Sequence, residues 1–104
     1  MTTEKQLSIR GYIREIGTQE TGETWKKQEF TIETVDKYPK LLRISCWNSA
    51  IEWLQRTKVE DLVNVYFNVQ SRKHSDKWYT EVTAWRIEVD VRAMLAAQKG
   101  GNNV

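Results

Sequence analysis

The sequence predicts an all-β domain, a five-stranded Greek-key barrel with one short helix between its third and fourth strands. Three observations predict it. Apolar residues recur at every second position in five separate stretches, the period turns helical once, after Trp47, and the breaks between stretches are short, polar or glycine-bearing. At 104 residues the chain makes one ordinary domain, large enough to fold without a disulfide or a metal.

The first strand runs from Gln6 to Gly17, with Leu7, Ile9, Gly11 and Ile13 alternating with Ser8, Arg10, Tyr12 and Arg14. Gly11 packs nothing and marks a bend or bulge by which one long strand serves both halves of a barrel. Thr18 to Thr24 forms the first loop. In the second strand, Trp25 to Thr34, the residues Gln28, Phe30, Ile32 and Thr34 share one face, while Trp25, Lys27, Glu29, Thr31 and Glu33 share the other. Pro39 has no amide to give to a ladder, so Val35 to Pro39 is a turn. The third strand, Lys40 to Trp47, points Leu42, Ile44 and Cys46 inward and Leu41, Arg43, Ser45 and Trp47 outward.

Ala50, Ile51 and Leu54 then stand at helical spacing, with Asn48 or Ser49 as cap and Ser49 with Glu52 as a capping box. Trp53 on this helix is placed to cover one end of the barrel. The fourth strand, Asp61 to Arg72, has Val63, Val65, Phe67 and Val69 inward and Asn64, Tyr66, Asn68, Gln70 and Arg72 outward. Lys73 to Lys77 is a polar hairpin tip, and Trp78 to Val89 is the fifth strand. There Val82 and Ala84 fall on one parity but Trp85 and Ile87 on the other, which a bulge near Ala84 reconciles. The domain is thus expected over residues 1–90, followed over 91–104 by one or two helical turns through Val91, Met94 and Leu95 and a flexible glycine- and asparagine-rich tail. Five strands with a helix after the third is the layout of the OB-fold; an SH3-like barrel, which usually lacks that helix, ranks second.

Composition excludes several functions. No apolar run approaches the roughly 18 residues of a membrane span, and Met1 to Gln6 lacks the apolar core of a signal peptide, so a cytoplasmic protein is expected. Cys46 has no second cysteine to pair with and sits in an apolar phase, which reads as a buried, inert thiol. His74 is the only histidine and lies on a polar tip, so no histidine metal cluster or proton relay is available. No glycine-rich phosphate loop follows a strand, and Glu29 and Glu33 are ordinary strand carboxylates. Neither catalysis, a cofactor nor a metal is expected.

The run Trp25-Lys26-Lys27-Gln28-Glu29-Phe30, then Tyr38-Pro39, Ser71-Arg72, Trp78-Tyr79-Thr80 and Ala84-Trp85, resembles a family of small bacterial proteins with no assigned function. That family looks like a branch of the single-stranded DNA-binding OB-fold proteins. The resemblance covers Gln6 to Val89 and implies the barrel and a role in binding single strands. Housekeeping members of the wider group end in an acidic tail that recruits partners, whereas this sequence ends Gly100-Gly101-Asn102-Asn103-Val104, so recruitment through such a tip is not expected.

Five tryptophans and four tyrosines exceed what one small core holds, so some rings should face solvent. Net charge is only +2, so a polyanion must be met by a local patch. Single-strand binding needs cations along the backbone path and flat rings for unpaired bases. The sequence interleaves them in Trp25, Lys26, Lys27, Arg43 and Trp47 on the second and third strands, and in Tyr66, Arg72, Lys73, Lys77 and Trp78 on and around the last hairpin. Neutralising about four phosphates would give a salt slope near −3. Each group also has a plainer reading. Trp25 and Trp47 suit the barrel mouth and helix start, Tyr66 a cross-strand pair, Tyr38 a turn plug, and Trp85 the core; the lysines suit a solvated edge. The functional expectation is single-stranded DNA binding, with RNA tolerated, by a homo-oligomer (dimer or tetramer). A protein-interaction module in a replication or recombination complex, or an oligosaccharide binder, is the alternative.

Overall fold

The computed structural model describes residues 6–92 and Leu95. All five expected strands and the helix are present: β1 (Leu7–Ile16), β3 (Lys26–Thr34), β4 (Leu41–Trp47), α1 (Ile51–Gln55, entered through a 3-10 turn over Asn48–Ala50), β5 (Leu62–His74) and β6 (Lys77–Val89). One addition is β2 (Glu20–Thr21), inside the expected first loop, where the chain doubles back to pair with Lys26 and Lys27. The strands are ordered β1-β5-β6-β4-β3, and β1 also pairs with β3, which closes the ring. Every neighbouring pair is antiparallel except β4 with β6, joined at Ser45–Thr83 and Cys46–Ala84. This is the OB-fold barrel.

Alternation explains the core. Ile13, Phe30, Ile32, Ile44, Cys46, Val63 and Val65 are fully buried, Leu54 and Ile51 of α1 close one end, and Trp53 packs half-buried against them as expected. Gly11 stands where β1 passes from β5 to β3, pairing with both Val63 and Thr34. A Cβ there would lie 2.7 Å from the Glu33 carbonyl oxygen, so the glycine serves close backbone approach, and the bulge of β1 falls instead at Arg14. In β6 the bulge sits where the sequence asks for it. Tyr66 pairs with Arg86 and Phe67 with Ala84, which leaves Trp85 as the extra residue and lets Ala84 and Ile87 both point inward.

Four expectations need correction. Ser49 and Glu52 form no capping box, and neither helical segment has a side-chain cap. Asn48 instead takes a positive φ of 52°, and its Oδ1 accepts a hydrogen bond from the Lys26 amide, tying the helix entry to β3. The hairpin tip is two residues rather than five, Ser75 and Asp76, both at positive φ (51° and 68°), as a type I′ turn demands. Tyr38 is 71% exposed and plugs nothing. Trp85 is no core residue, because the bulge turns it outward. Val91, Arg92 and Leu95 are helical, while Met94 and the expected tail lie outside the described residues.

Candidate nucleic-acid interface

On the outer face of β3 and β4, register sets Lys27 opposite Trp47, Glu29 opposite Ser45, and Thr31 opposite Arg43. The β5–β6 hairpin rises beside this wall. Its two-residue turn pairs Arg72 with Tyr79 and Gln70 with Glu81, and so puts Arg72, Tyr79 and Glu81 on one ribbon face; Lys73, paired with Trp78, falls on the other. Between wall and ribbon lies a cleft of about 330 Å³ lined by Lys27, Glu29, Trp47, Arg72, Tyr79 and Glu81.

Glu81 organises the cleft. Its carboxylate accepts the Trp47 indole N–H at 3.0 Å and lies 3.6 Å from Arg72 Nη2 and 4.0 Å from Lys27 Nζ. The Lys27 ammonium in turn sits 5.2 Å from the Trp47 ring centre. Trp47 also contacts Trp25, the two ring centres 5.7 Å apart and tilted by 59°. Trp25 is seated on Gly22, where a Cβ would fall 2.2 Å from its indole nitrogen. The Trp47 ring is thus fixed by a hydrogen bond, a cation and a second ring before any ligand arrives, which lowers the ordering cost of stacking on it.

The cations are not free. Lys27 pairs with Glu29 at 3.5 Å as well as with Glu81, and Arg43 is held by Glu15 at 2.7 Å, Glu29 at 3.4 Å and the Thr31 hydroxyl at 2.8 Å. Partial burial pushes the Glu29 carboxyl up, but Lys27 and Arg43 outweigh it and hold the group below its ordinary value. Any anion entering here would have to exchange with these carboxylates.

Of the ten residues read from the sequence, the fold gathers Lys27, Trp47 and Arg72 in the cleft, with Trp25 beside it and Arg43 further along the same wall. Lys77, two positions from Tyr79, shares the cleft face of the ribbon at its tip. Lys26 has the opposite parity to Lys27 and lines a second, larger cleft near Trp25. Lys73 and Trp78, the latter 68% exposed, face away. Tyr66 lies elsewhere, its ring centre 5.5 Å from that of Trp85 and tilted by 46°. The sequence reading missed Tyr79 and Glu81; placing the turn at Ser75-Asp76 would have found both. Cys46 is buried, and burial pushes its thiol up to about 12, so it stays protonated and inert. Among the described residues no group of three or more His, Cys, Asp or Glu side chains is placed to hold a metal, and no helix is long and apolar enough to cross a membrane.

Solved structures resemble this fold at low sequence identity. The second single-stranded DNA-binding protein of Mycobacterium smegmatis superposes with a TM-score of 0.66 at 14% identity, over 86% of this chain and 90% of that one. The SSB domain of a Synechococcus protein gives 0.64 at 15%, over 85% and 98%. The small single-stranded DNA-binding protein of Streptomyces coelicolor gives 0.61 at 13%, over 88% and 99%. At this identity the likenesses establish the fold alone, the OB-fold. A comparison with curated proteins finds no match. Residues 8–88, nearly the whole barrel, match the model of the family described as a domain of unknown function (DUF3127), and the chain belongs to that family.

Proposed function

We propose that this protein binds single-stranded DNA in the cleft between the β3–β4 wall and the β5–β6 ribbon, with little sequence preference and no catalytic step, in the cytoplasm. The observation that carries the reading is the fixed Trp47 ring flanked by Lys27, Arg72 and Tyr79 in a concave site. Bases stack on Trp47 and Tyr79, at about 1 to 3 kcal/mol each, while Lys27 and Arg72 take phosphates once Glu81 and Glu29 are displaced. RNA offers the same rings and phosphates and is bound by the same chemistry. On the far face of the ribbon the exposed Val69 continues toward the exposed Leu7 of β1, whose partner is Phe67, with the exposed Trp78 further out beyond the Ser71–Thr80 pair. This apolar strip supports pairing of two copies, which sedimentation velocity tests.

Titration with an oligothymidylate, followed by tryptophan fluorescence, tests the binding itself. The expected result is quenching that weakens with salt, with a slope near −2 if about three phosphates are engaged on a single strand. No spectral response at micromolar protein, or affinity indifferent to salt, would refute the proposal.

A further inference from the structure

A strand lying in the cleft must leave it, and two of its ways out differ in charge. One passes Trp25 into the larger cleft of about 510 Å³ between the β2 turn and α1. The charged residues there are Glu23, Glu52 and Lys26, and neither carboxylate has an ion pair or hydrogen bond among the described residues. That exit repels phosphate. The other follows the outer face of β6 from Glu81 to Trp85, four residues or about 13 Å along an extended strand.

At its end the bulge makes a second aromatic cluster. A regular strand would send one of two consecutive residues inward; here Trp85 and Arg86 are both exposed, because the inward places on either side are taken by Ala84 and Ile87. Trp85, 38% exposed, packs against Tyr66 with the rings tilted by 46°, and Glu88 accepts hydrogen bonds from the Tyr66 hydroxyl and from Arg86. The Arg86 guanidinium lies 5.9 Å from the Tyr66 ring centre and 5.5 Å from that of Trp53, and the Arg56 guanidinium lies 5.0 Å from the Trp53 ring centre. Arg56 has no carboxylate partner among the described residues. Rings held in place beside two guanidinium groups, one of them unpaired, repeat the chemistry of the cleft at a second place.

We propose that a bound single strand runs from the cleft along the outer face of β6 onto this second platform, stacking a base on Trp85 and Tyr66 with Arg86 and Arg56 at its phosphates. The bulge is then a device for exposing a ring and a cation side by side, and the platform lengthens the binding site. The inference rests on the cleft being the primary single-strand site.

The test compares oligothymidylates of about 5 and about 15 nucleotides, with dissociation constants measured by fluorescence anisotropy on the full chain. For the wild type the longer strand should bind roughly five- to a hundredfold more tightly, the value of one stacked base. Trp85→Ala should remove most of that gain and leave the short strand unaffected. Arg56→Glu, a change at an exposed side chain whose thermal midpoint should not move, should also cut the gain. A gain that survives both substitutions, or variants that weaken short and long strands equally, would overturn the platform and leave the cleft standing. Failure of the wild type to bind either length would overturn both.

Discussion

Within β5, Val63 and Val65 are fully buried, yet Val69, on the same face of the same strand, is 50% exposed. The three differ only in what lies across from them. Val63 and Val65 look into a ring closed by β1, β3 and β4, whereas beyond Phe67 the β5–β6 pair runs on past the barrel and its inner face stays half-exposed at Val69. One periodicity therefore serves two purposes. In the barrel it stores stability, and in the ribbon it sorts side chains between a face turned to the cleft and a face turned away.

The sharpest way to break that distinction is to cut side chains in both regions. Phe30→Ala should cost about 3 to 5 kcal/mol in urea unfolding, and Val65→Ala about 2 kcal/mol. With paired copies separated by dilution, Val69→Ala should change stability by less than about 0.5 kcal/mol. A comparable cost at Val65 and Val69 would mean that the ribbon is covered. In the ribbon the effect should appear in binding instead. Tyr79→Ala should weaken oligothymidylate binding by about 1 to 3 kcal/mol with the unfolding midpoint unmoved, while Trp78→Ala should leave affinity for a short strand unchanged. Glu81→Gln keeps an acceptor for the Trp47 indole, frees Arg72 and leaves Lys27 with Glu29 alone, so affinity at low salt should rise by up to about fivefold. Unchanged affinity would show that these ion pairs do not compete with phosphate. A last effect belongs to the turn: Asp76→Gly relieves a left-handed residue and should stabilise the protein by about 0.5 kcal/mol in the same unfolding assay.

The barrel was legible in the sequence because its rule is local. Leu42-Ile44-Cys46, Phe30-Ile32-Thr34 and Val63-Val65-Phe67 each announce a buried face, and the conflict between Ala84 and Ile87 announced a bulge. The site was legible only in part, because it depends on register between strands. Reading Lys73 to Lys77 as a five-residue tip sets Arg72 across from Trp78; the two-residue turn sets it across from Tyr79. A slip of one residue exchanges the two faces of a strand, so Arg72 and Trp78, both read from the sequence as site residues, fall on opposite faces of the ribbon. Trp85 illustrates a second limit. Its apolar neighbours argue for burial, and only the position of the extra residue decides that it points out. Carboxylate partners are a third, since Glu81 is nine residues from Arg72 and 34 from Trp47 in sequence and reaches both through the fold.

The central claim is that single strands are read by the Trp47 face of the ribbon and not by the Trp78 face. The five indole N–H signals of a two-dimensional nitrogen–proton NMR spectrum report on it directly when a short oligothymidylate is added. The Trp47 signal should shift most, with backbone shifts at Lys27, Arg72, Tyr79 and Glu81, and the Trp78 signal should stay in place. Shifts centred on Trp78 and Lys73, with Trp47 undisturbed, would contradict the account.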